Sequence, residues 1–358
     1  MLPEPDAAAL AASAAMRARI AKEISEHDNW IAFARYMELA LHEPGLGYYA
    51  GGAAKLGAAG DFVTAPELGS LYARTLARQV AGLLEPGEAV LEFGAGSGAL
   101  AEVLSEEISG SYVILETSPE LRDRQHRRLG NRVRWIERLP ERWRGVMLAN
   151  EVLDAMPVHC VAWTAQGVME RGVCLEKNVF AWRQRPANGT VLHEAERIPV
   201  AAPYESEIGL AGRAWMRAAA AALERGAILV VDYGFAEHEY YHPQRTMGTL
   251  MCHYRHRAHA DPFFLPGLQD ITAHLDFSAL ARAARESGLE ILGYANQAQF
   301  LVNCGITEVL ARGGGAAREA DTLLSPAEMG ELFKVLAVGR GARRPLAGFT
   351  RGERSHTL

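Results

Sequence analysis

The chain has 358 residues and a formal net charge of −6, with 49% hydrophobic and 22% charged residues. That length fits one elaborated domain or two medium ones, and the composition is ordinary for a soluble globular protein. No basic stripe suggests a nucleic-acid partner, and the arginines between residues 124 and 138 suit a solvated helix face. No apolar run approaches the ~20 residues of a membrane-spanning helix, so we expect no membrane insertion.

The cysteines and the first residues of the chain bear on its compartment. The four cysteines form no C-x-x-C pair and are far apart, at Cys160, Cys174, Cys252 and Cys304. This spacing argues against a disulfide framework or a zinc site and favours a reducing compartment. The amino-terminal residues lack a basic region followed by an apolar one, so we expect no secretory signal.

Residues 1–85 predict a helical extension. Apolar residues recur near helical spacing as far as Leu41, and Pro44 with Gly45 ends that run. A glycine-rich loop follows to Gly60, and Pro66 then opens another helix.

Residues 86–343 predict an α/β domain with a parallel sheet. Short apolar strands alternate with helices, as in βαβ units, and the predicted strands are 89–93, 112–115, 133–136, 146–149, 228–232, 289–292 and 333–338. Two insertions interrupt this rhythm. Residues 158–205 look like antiparallel hairpins, and residues 235–276 form a long, polar, histidine-rich stretch. Residues 344–358 are expected to form a loose tail.

The strongest local signal is the glycine loop after the first predicted strand. Its glycines let the backbone approach a ligand with no Cβ in the way. Glu116 ends the next strand, where a carboxylate can accept both ribose hydroxyls of a nucleoside. A dehydrogenase needs G-x-G-x-x-G to hold a pyrophosphate, which Glu92 would repel. Glu92 suits instead the cationic amino-acid end of S-adenosylmethionine. The predicted cofactor contacts here are Glu92, Gly94, Ala95, Gly96, Gly98 and Glu116.

Two alternatives to this interpretation stay open at the level of the sequence. A nicotinamide-dependent oxidoreductase shares the glycine loop and the acid after the next strand. A tight strand-to-helix turn with no ligand would also use glycines.

Polar residues follow the fourth predicted strand, where the carboxyl ends of a doubly wound sheet line the ligand crevice. Asn150 offers an oxygen acceptor and is a predicted cofactor contact. Glu151 and Asp154 are predicted one helical turn apart, where two carboxylates hold a guanidinium and accept its proton. They are the predicted catalytic residues, with Asp270 as a further candidate. The alternative is that Asn150 or Asp154 caps a short helix.

Two more segments carry candidate functional groups. Asp61 and Thr64 lie in a glycine-hinged loop, which either folds over the cofactor or makes a simple turn into the next helix. Histidines and aspartates crowd residues 253–276, but without tight helical ligand spacing. We therefore predict a lid there, and no metal site.

Longer motifs resemble a known family, the bacterial MidA-like proteins and the mitochondrial complex I assembly-factor methyltransferases. They span nearly the whole chain in order, at residues 35–44 (RYMELALHEP), 47–49 (GYY), 60–67 (GDFVTAPE), 92–98 (EFGAGSG), 150–157 (NEVLDAMP), 248–250 (GTL), 269–277 (QDITAHLDF) and 328–335 (EMGELFKV). This combination is more specific than the glycine loop alone.

The resemblance implies a Rossmann-like, seven-stranded sheet, S-adenosyl-L-methionine as cofactor and methyl transfer to a protein arginine. In the mitochondrial relatives the acceptor is a core subunit of respiratory complex I, so a protein partner is implied. The resemblance also favours a cofactor-covering loop around Asp61 and Thr64. The implied location is cytoplasmic for a bacterial protein and the mitochondrial matrix for a eukaryotic one. Two alternatives are a small-molecule N- or O-methyltransferase and a cofactor-binding assembly chaperone without turnover.

Overall fold

The structure, a computed structural model, describes residues 2–51, 64–342 and 346–358. Its helices are α1 Ala7–Glu26, α2 Phe33–His42, α3 Ala65–Leu68, α4 Leu71–Leu83, α5 Ala99–Glu107, α6 Pro119–Leu129, α7 Gly189–Glu196, α8 Leu210–Ala222, α9 Glu237–Tyr240, α10 Phe277–Glu286, α11 Gln297–Asn303, α12 Ile306–Ala311, α13 Ala317–Leu324 and α14 Met329–Leu332. None of these helices is both long and apolar enough to cross a membrane.

The strands of the described residues are β1 Ile31–Ala32, β2 Ala89–Phe93, β3 Ser111–Leu115, β4 Arg134–Ile136, β5 Trp143–Asn150, β6 His159–Thr164, β7 Gly167–Glu176, β8 Val179–Pro186, β9 Tyr204–Ile208, β10 Leu223–Phe235, β11 Met251–Tyr254, β12 Arg257–His259, β13 Asp270–Thr272, β14 Leu275–Asp276, β15 Glu290–Asn296 and β16 Phe333–Arg340.

Contacts divide the chain into two compact units. We call one the insertion unit, and its described residues are 2–51, 154–212 and 238–274. We call the other the sheet unit, and its described residues are 64–153, 213–237, 275–342 and 346–358. Each unit has its own hydrophobic core.

A largely parallel sheet organises the sheet unit. Its strands follow the order β15-β16-β10-β5-β2-β3-β4, and β14 adds a short parallel pair to β10. Strands β2, β3, β4, β5 and β10 are parallel, whereas β16 is antiparallel to both neighbours. The predicted Rossmann-like, seven-stranded sheet is confirmed, with β14 as an addition that periodicity did not reveal. Because a parallel strand in the middle of such a sheet is buried on both faces, the centre of β10, residues 227–231, is a continuous hydrophobic run.

Helices cover this sheet with apolar faces at helical spacing. In α4, Leu76, Val80 and Leu83 are buried in the same core as Val146 and Leu229 of the sheet. Helix α6 begins at two local helix-start signals, since Pro119 stands in its first turn and the Ser118 hydroxyl accepts from the Leu121 N–H.

Antiparallel strands form the centre of the insertion unit, which confirms the predicted antiparallel insertion. Strands β1-β7-β6-β9 follow one path, and β8 pairs with β7. Helix α1 buries Met16, Ile20 and Ile24, four residues apart, so one stripe of the helix enters the core. The two-residue strand β1 interrupts the predicted amino-terminal helical run, since Ile31 pairs with Val173 of β7.

The long, polar, histidine-rich stretch at residues 235–276 contains more regular structure than its composition indicates. This stretch contains helix α9 and an antiparallel sheet in the order β12-β11-β13. Arg255 and His256 adopt positive φ of 46° and 60° and close the tight β11–β12 hairpin, as primed turns require. Neither residue is a glycine or an asparagine, so the usual turn signal was missing.

The predicted loose tail is also not what the structure shows for residues 346–358. Leu346 and Phe349 are buried in the core of the sheet unit. The Asn303 amide donates to the carbonyls of Gly348 and Arg351 at 2.9 and 2.8 Å. Two buried apolar side chains and the hydrogen bonds from Asn303 therefore hold this segment against the sheet unit.

Candidate functional site

The glycine loop joins β2 to α5 in the sheet unit. Gly94, Gly96 and Gly98 have φ of 57°, 54° and 82°, a left-handed conformation that side chains with a Cβ disfavour. The Gly94 N–H donates to the Leu115 carbonyl at 3.1 Å, which extends the β2–β3 pairing into the loop. Ala95 is buried, whereas Gly94 is exposed. The loop is thus a bare backbone surface at the carboxyl end of the sheet.

Glu92 lies directly beneath this loop, near the end of β2. Its carboxylate accepts from the Tyr112 hydroxyl at 2.8 Å, and the side chain is only 3% exposed. Burial raises the pKa of Glu92 to about 8, against the effect of the Tyr112 hydrogen bond and with a contribution from the charge of Glu116. A carboxyl in this state gains its charge readily only if a cation comes close, as the predicted role requires.

Glu116 follows β3, and both of its carboxylate oxygens are held. One accepts from the Ser118 N–H at 2.9 Å, and the other accepts from the Gln125 side-chain amide at 3.0 Å. Burial raises the pKa of Glu116, while these hydrogen bonds work in the opposite direction. A carboxylate has about four acceptor positions, so two remain for ligand hydroxyls.

A second polar group lies at the carboxyl end of β5. The Tyr72 hydroxyl of α4 donates to the Asn150 side-chain oxygen. The Asn150 amide and the Ala65 N–H each donate to the same Glu151 oxygen at 3.2 Å. Glu151 itself has φ of 53°, a strained value for a residue with a Cβ. Asn150 and Glu151 are thus fixed together.

The predicted relation between Glu151 and Asp154 is wrong. Residues 151–156 form bends and turns, so the two residues do not lie one turn apart on a helix, and neither Asn150 nor Asp154 caps one. The Glu151 N–H still donates to the Val231 carbonyl at 2.9 Å, which keeps the chain along the sheet after β5. Asp154 already belongs to the insertion unit, where it is buried and its carbonyl accepts from the Ala273 N–H. Its catalytic role stays a prediction.

The sequence alone assigned no role to two groups at this edge. Asp232 in β10 is fully buried and accepts from the N–H groups of Leu153 and Tyr233 at 3.1 and 3.0 Å. Burial raises the pKa of Tyr72 well above its usual value, and the charges of Glu151, Glu92 and Asp232 raise it further. The available signal was position, since Asp232 ends the predicted strand 228–232.

The remaining candidate residues from the sequence are Asp61, Thr64 and Asp270. Asp61 lies outside the described residues. Thr64 is half-buried at the start of α3, but its side chain makes no capping hydrogen bond there. In the insertion unit, the Tyr49 hydroxyl donates to the buried Asp270 carboxylate at 2.9 Å. Within the described ranges, no group of three histidine, cysteine or acidic side chains is arranged to hold a metal.

Replacing Gly96 by valine tests the loop directly. A branched side chain at φ of 54° costs roughly 1–2 kcal/mol and covers the backbone surface, so we expect loss of cofactor binding in titration calorimetry. Gly130→Val is the matched control, because Gly130 has φ of 55° with open space around its missing Cβ. Equal losses of cofactor affinity in both variants would contradict a ligand-binding loop.

Comparisons with known proteins agree with this geometry. The sequence profile of a family described as S-adenosyl-L-methionine-dependent methyltransferases matches residues 71–295. The protein arginine methyltransferase NDUFAF7, mitochondrial, of Danio rerio is 30% identical over 390 aligned positions, covering 89% of each chain. Its human counterpart is 27% identical, covering 86% of this chain and 80% of that protein.

Solved structures give the same result. A protein from Burkholderia thailandensis, solved bound to S-adenosyl-homocysteine, is 48% identical with a TM-score of 0.96 and full coverage of both chains. A native crystal structure of a protein from the same superfamily and organism is 47% identical with a TM-score of 0.92, again with full coverage of both chains. The fold and the class of cofactor therefore rest on a close structural relative.

Proposed function

Because this chain belongs to the family of S-adenosylmethionine-dependent methyltransferases, we propose that it methylates an arginine side chain of a protein. It is a methyltransferase and uses S-adenosylmethionine. The name of its relatives, protein arginine methyltransferase, supports the class of acceptor. We propose a core subunit of respiratory complex I as the acceptor, because the motifs of this chain resemble those of the mitochondrial assembly-factor methyltransferases. The proposed compartment is the bacterial cytoplasm, or the mitochondrial matrix in a eukaryote.

The observation that carries the proposal is the acidic edge of the sheet unit. Glu151 is held in a strained backbone conformation by contacts with Asn150 and Ala65, and the charges of Glu151, Glu92 and Asp232 all act on the Tyr72 hydroxyl. Strain of this kind persists only where the surrounding structure enforces it, and it concentrates at functional sites. An acidic edge favours a cationic acceptor such as a guanidinium.

The cofactor contacts that we propose lie on the same edge. Gly94, Ala95, Gly96 and Gly98 present the backbone, Glu116 accepts the ribose hydroxyls, and Asn150 contacts the cofactor beside Glu151. Glu92 compensates the cationic amino-acid end, since its raised pKa leaves it ready to ionise next to a positive charge. Asp61 and Thr64 complete the proposed set as part of a covering loop.

The chemistry divides between the cofactor and the chain. S-adenosylmethionine, when bound, supplies a methyl group on a positively charged sulfur. A guanidinium nitrogen forms the new C–N bond as the C–S bond breaks, and the nitrogen gives up one proton. Glu151 accepts that proton in our proposal and localises positive charge on the acceptor. Fixed alignment of acceptor and methyl group supplies much of the rate enhancement.

The test is methylation of a purified complex I core subunit from the same organism. We incubate it with the protein and isotopically labelled S-adenosylmethionine, then locate the label by peptide mass spectrometry. Label on an arginine supports the proposal, and label on another residue type contradicts it. Cofactor binding without labelled subunit would favour the assembly chaperone. Transfer of label to small amines alone would favour the small-molecule methyltransferase.

A further inference from the structure

Helix α6 carries a polar residue where its packing calls for an apolar one. Gln125 and Leu129, four residues apart, are the buried residues of this helix, and Gln125 is fully buried. Glutamine is rarely buried so completely unless its hydrogen-bonding groups are satisfied. The side-chain amide of Gln125 is therefore expected to have hydrogen-bond partners for both its nitrogen and its oxygen.

Its three hydrogen bonds reach three separate elements. The amide nitrogen donates to the Gly96 carbonyl and to the Glu116 carboxylate, both at 3.0 Å. The amide oxygen accepts from the Trp135 indole N–H of β4, also at 3.0 Å. One side chain thus joins the glycine loop, the acid that follows β3 and the edge strand of the sheet.

The chemistry of the partners permits only one orientation of this amide. An indole nitrogen is only a donor, whereas a carbonyl and a carboxylate are only acceptors. Turning the amide over would place its NH₂ against the indole and its oxygen against two acceptors. Trp135 therefore fixes the direction in which both amide hydrogens point. Its ring lies against His126 of α6, with 3.7 Å between ring centroids and 34° between the ring planes.

The two acceptors are the groups that we assign to opposite sides of the nucleoside. Gly96 belongs to the bare loop, and Glu116 is the proposed partner of the ribose hydroxyls. Donation from Gln125 favours the charged form of Glu116, against the effect of its burial. Since Ser118 holds the other oxygen, the carboxylate cannot rotate without breaking a bond.

We propose that Gln125 is a positioning residue for the cofactor, which locks the Glu116 carboxylate in register with the glycine loop so that it meets both ribose hydroxyls. This inference rests on the proposed cofactor contacts of Glu116 and Gly96 and does not depend on the methyl acceptor. Gln125 itself is buried and acts through these two groups.

The test compares two ligands in two proteins by titration calorimetry. The ligands are S-adenosylhomocysteine and an analogue whose ribose lacks both hydroxyls, and the proteins are the unchanged chain and Gln125→Met. We expect the variant to bind S-adenosylhomocysteine about tenfold or more weakly, because a hydrogen bond to a charged group is lost. The analogue should bind both proteins with similar affinity. Removing the ribose hydroxyls and removing the Gln125 amide act on the same interaction, the contact of Glu116 with the ribose, so the second change adds no further loss.

Two further variants guard against a folding defect. Gln125→Glu keeps the shape and the bond from Trp135 but removes both amide N–H donors, so at a pH where both carboxyls are ionised it should show the same selective loss. Arg127→Ala changes an exposed residue of the same helix and should bind both ligands like the unchanged chain. Thermal unfolding of each variant checks that the fold survives.

Other outcomes overturn the inference. A loss of equal size for both ligands would mean that Gln125 only supports the fold, and no loss for either would mean that it positions nothing. If the unchanged chain bound both ligands equally, the ribose role of Glu116 would fail and this inference with it. Failure to methylate a protein arginine, with the selective loss intact, would overturn the proposed acceptor and leave the role of Gln125 standing.

Discussion

Glu92→Gln should be more stable than the unchanged chain, by an amount that grows as the pH rises, although the substitution is in the proposed cofactor site. Folding raises the pKa of this carboxyl from 4.5 to about 8. The folded chain therefore holds a proton that the unfolded chain has lost, and stability falls as the pH rises through this window. Glutamine removes that dependence. The variant therefore gains free energy of unfolding relative to the unchanged chain, with an upper limit on the order of 4–5 kcal/mol above about pH 8. This gain is smaller by about 1–3 kcal/mol if an amide hydrogen of the glutamine stays unpaired.

Denaturant unfolding between about pH 5 and pH 9 measures this difference. Glu102→Gln in α5 is a control of opposite sign, whose pH window lies below about pH 5, so its titration is extended to lower pH. Although partial burial works the other way, ion pairs with Arg128 and Arg132 lower the pKa of Glu102. Its contribution to stability is present at neutral pH and is lost on acidification. A Glu92→Gln difference that stayed constant across the range would show that the carboxyl ionises normally.

The same substitution should weaken cofactor binding selectively. S-adenosylhomocysteine carries a cationic amino group, whereas methylthioadenosine lacks the whole amino-acid end. If Glu92 compensates that charge, Glu92→Gln binds the first ligand more weakly and the second almost unchanged. For the unchanged chain, affinity for S-adenosylhomocysteine should rise with pH up to about 8, because below that value the carboxyl must first release its proton. Parallel losses for both ligands would argue for a purely structural carboxyl.

Glu151→Gln should lower kcat for methyl transfer by about 10²–10⁴-fold, the contribution of a positioned general base. Glutamine keeps an oxygen for the N–H groups of Asn150 and Ala65, so the site should keep its shape. Binding of S-adenosylhomocysteine should change little. Single-turnover assays with the labelled cofactor separate the chemical step from binding.

A second substitution at this position separates strain from catalysis. Glu151→Gly removes both the carboxylate and the strain at φ of 53°, so relief of strain and loss of the hydrogen bonds from Asn150 and Ala65 largely offset each other. We expect stability to change by less than about 1 kcal/mol while activity stays low. Tyr72→Phe removes only the hydroxyl that donates to Asn150 and should cost less activity than either change. If Glu151→Gln kept full activity, another group would have to accept the proton.

Local features of the sequence account for much of the fold. The α6 boundaries follow from Ser118 and Pro119 at the start and a glycine after Leu129. The apolar runs of β2, β3 and β5 follow from the burial of parallel strands on both faces. Short hairpins without glycine, as at Arg255 and His256, carry no comparable signal, so the sheet formed by β11, β12 and β13 was not predicted.

The candidate site divides in the same way. The left-handed turns of the glycine loop can be predicted from neighbouring residues, because only glycine relieves the steric cost at Gly94, Gly96 and Gly98. The acid after β3 can likewise be located from its place at the end of a predicted strand. The partners of Glu92 and Asn150 lie farther away in the sequence, such as Tyr72, which is 78 positions before Asn150. Which side chains meet depends on the order of strands in the sheet. That order is set by long-range packing, so the strained backbone of Glu151 and the amide of Gln125 emerged only from the tertiary structure.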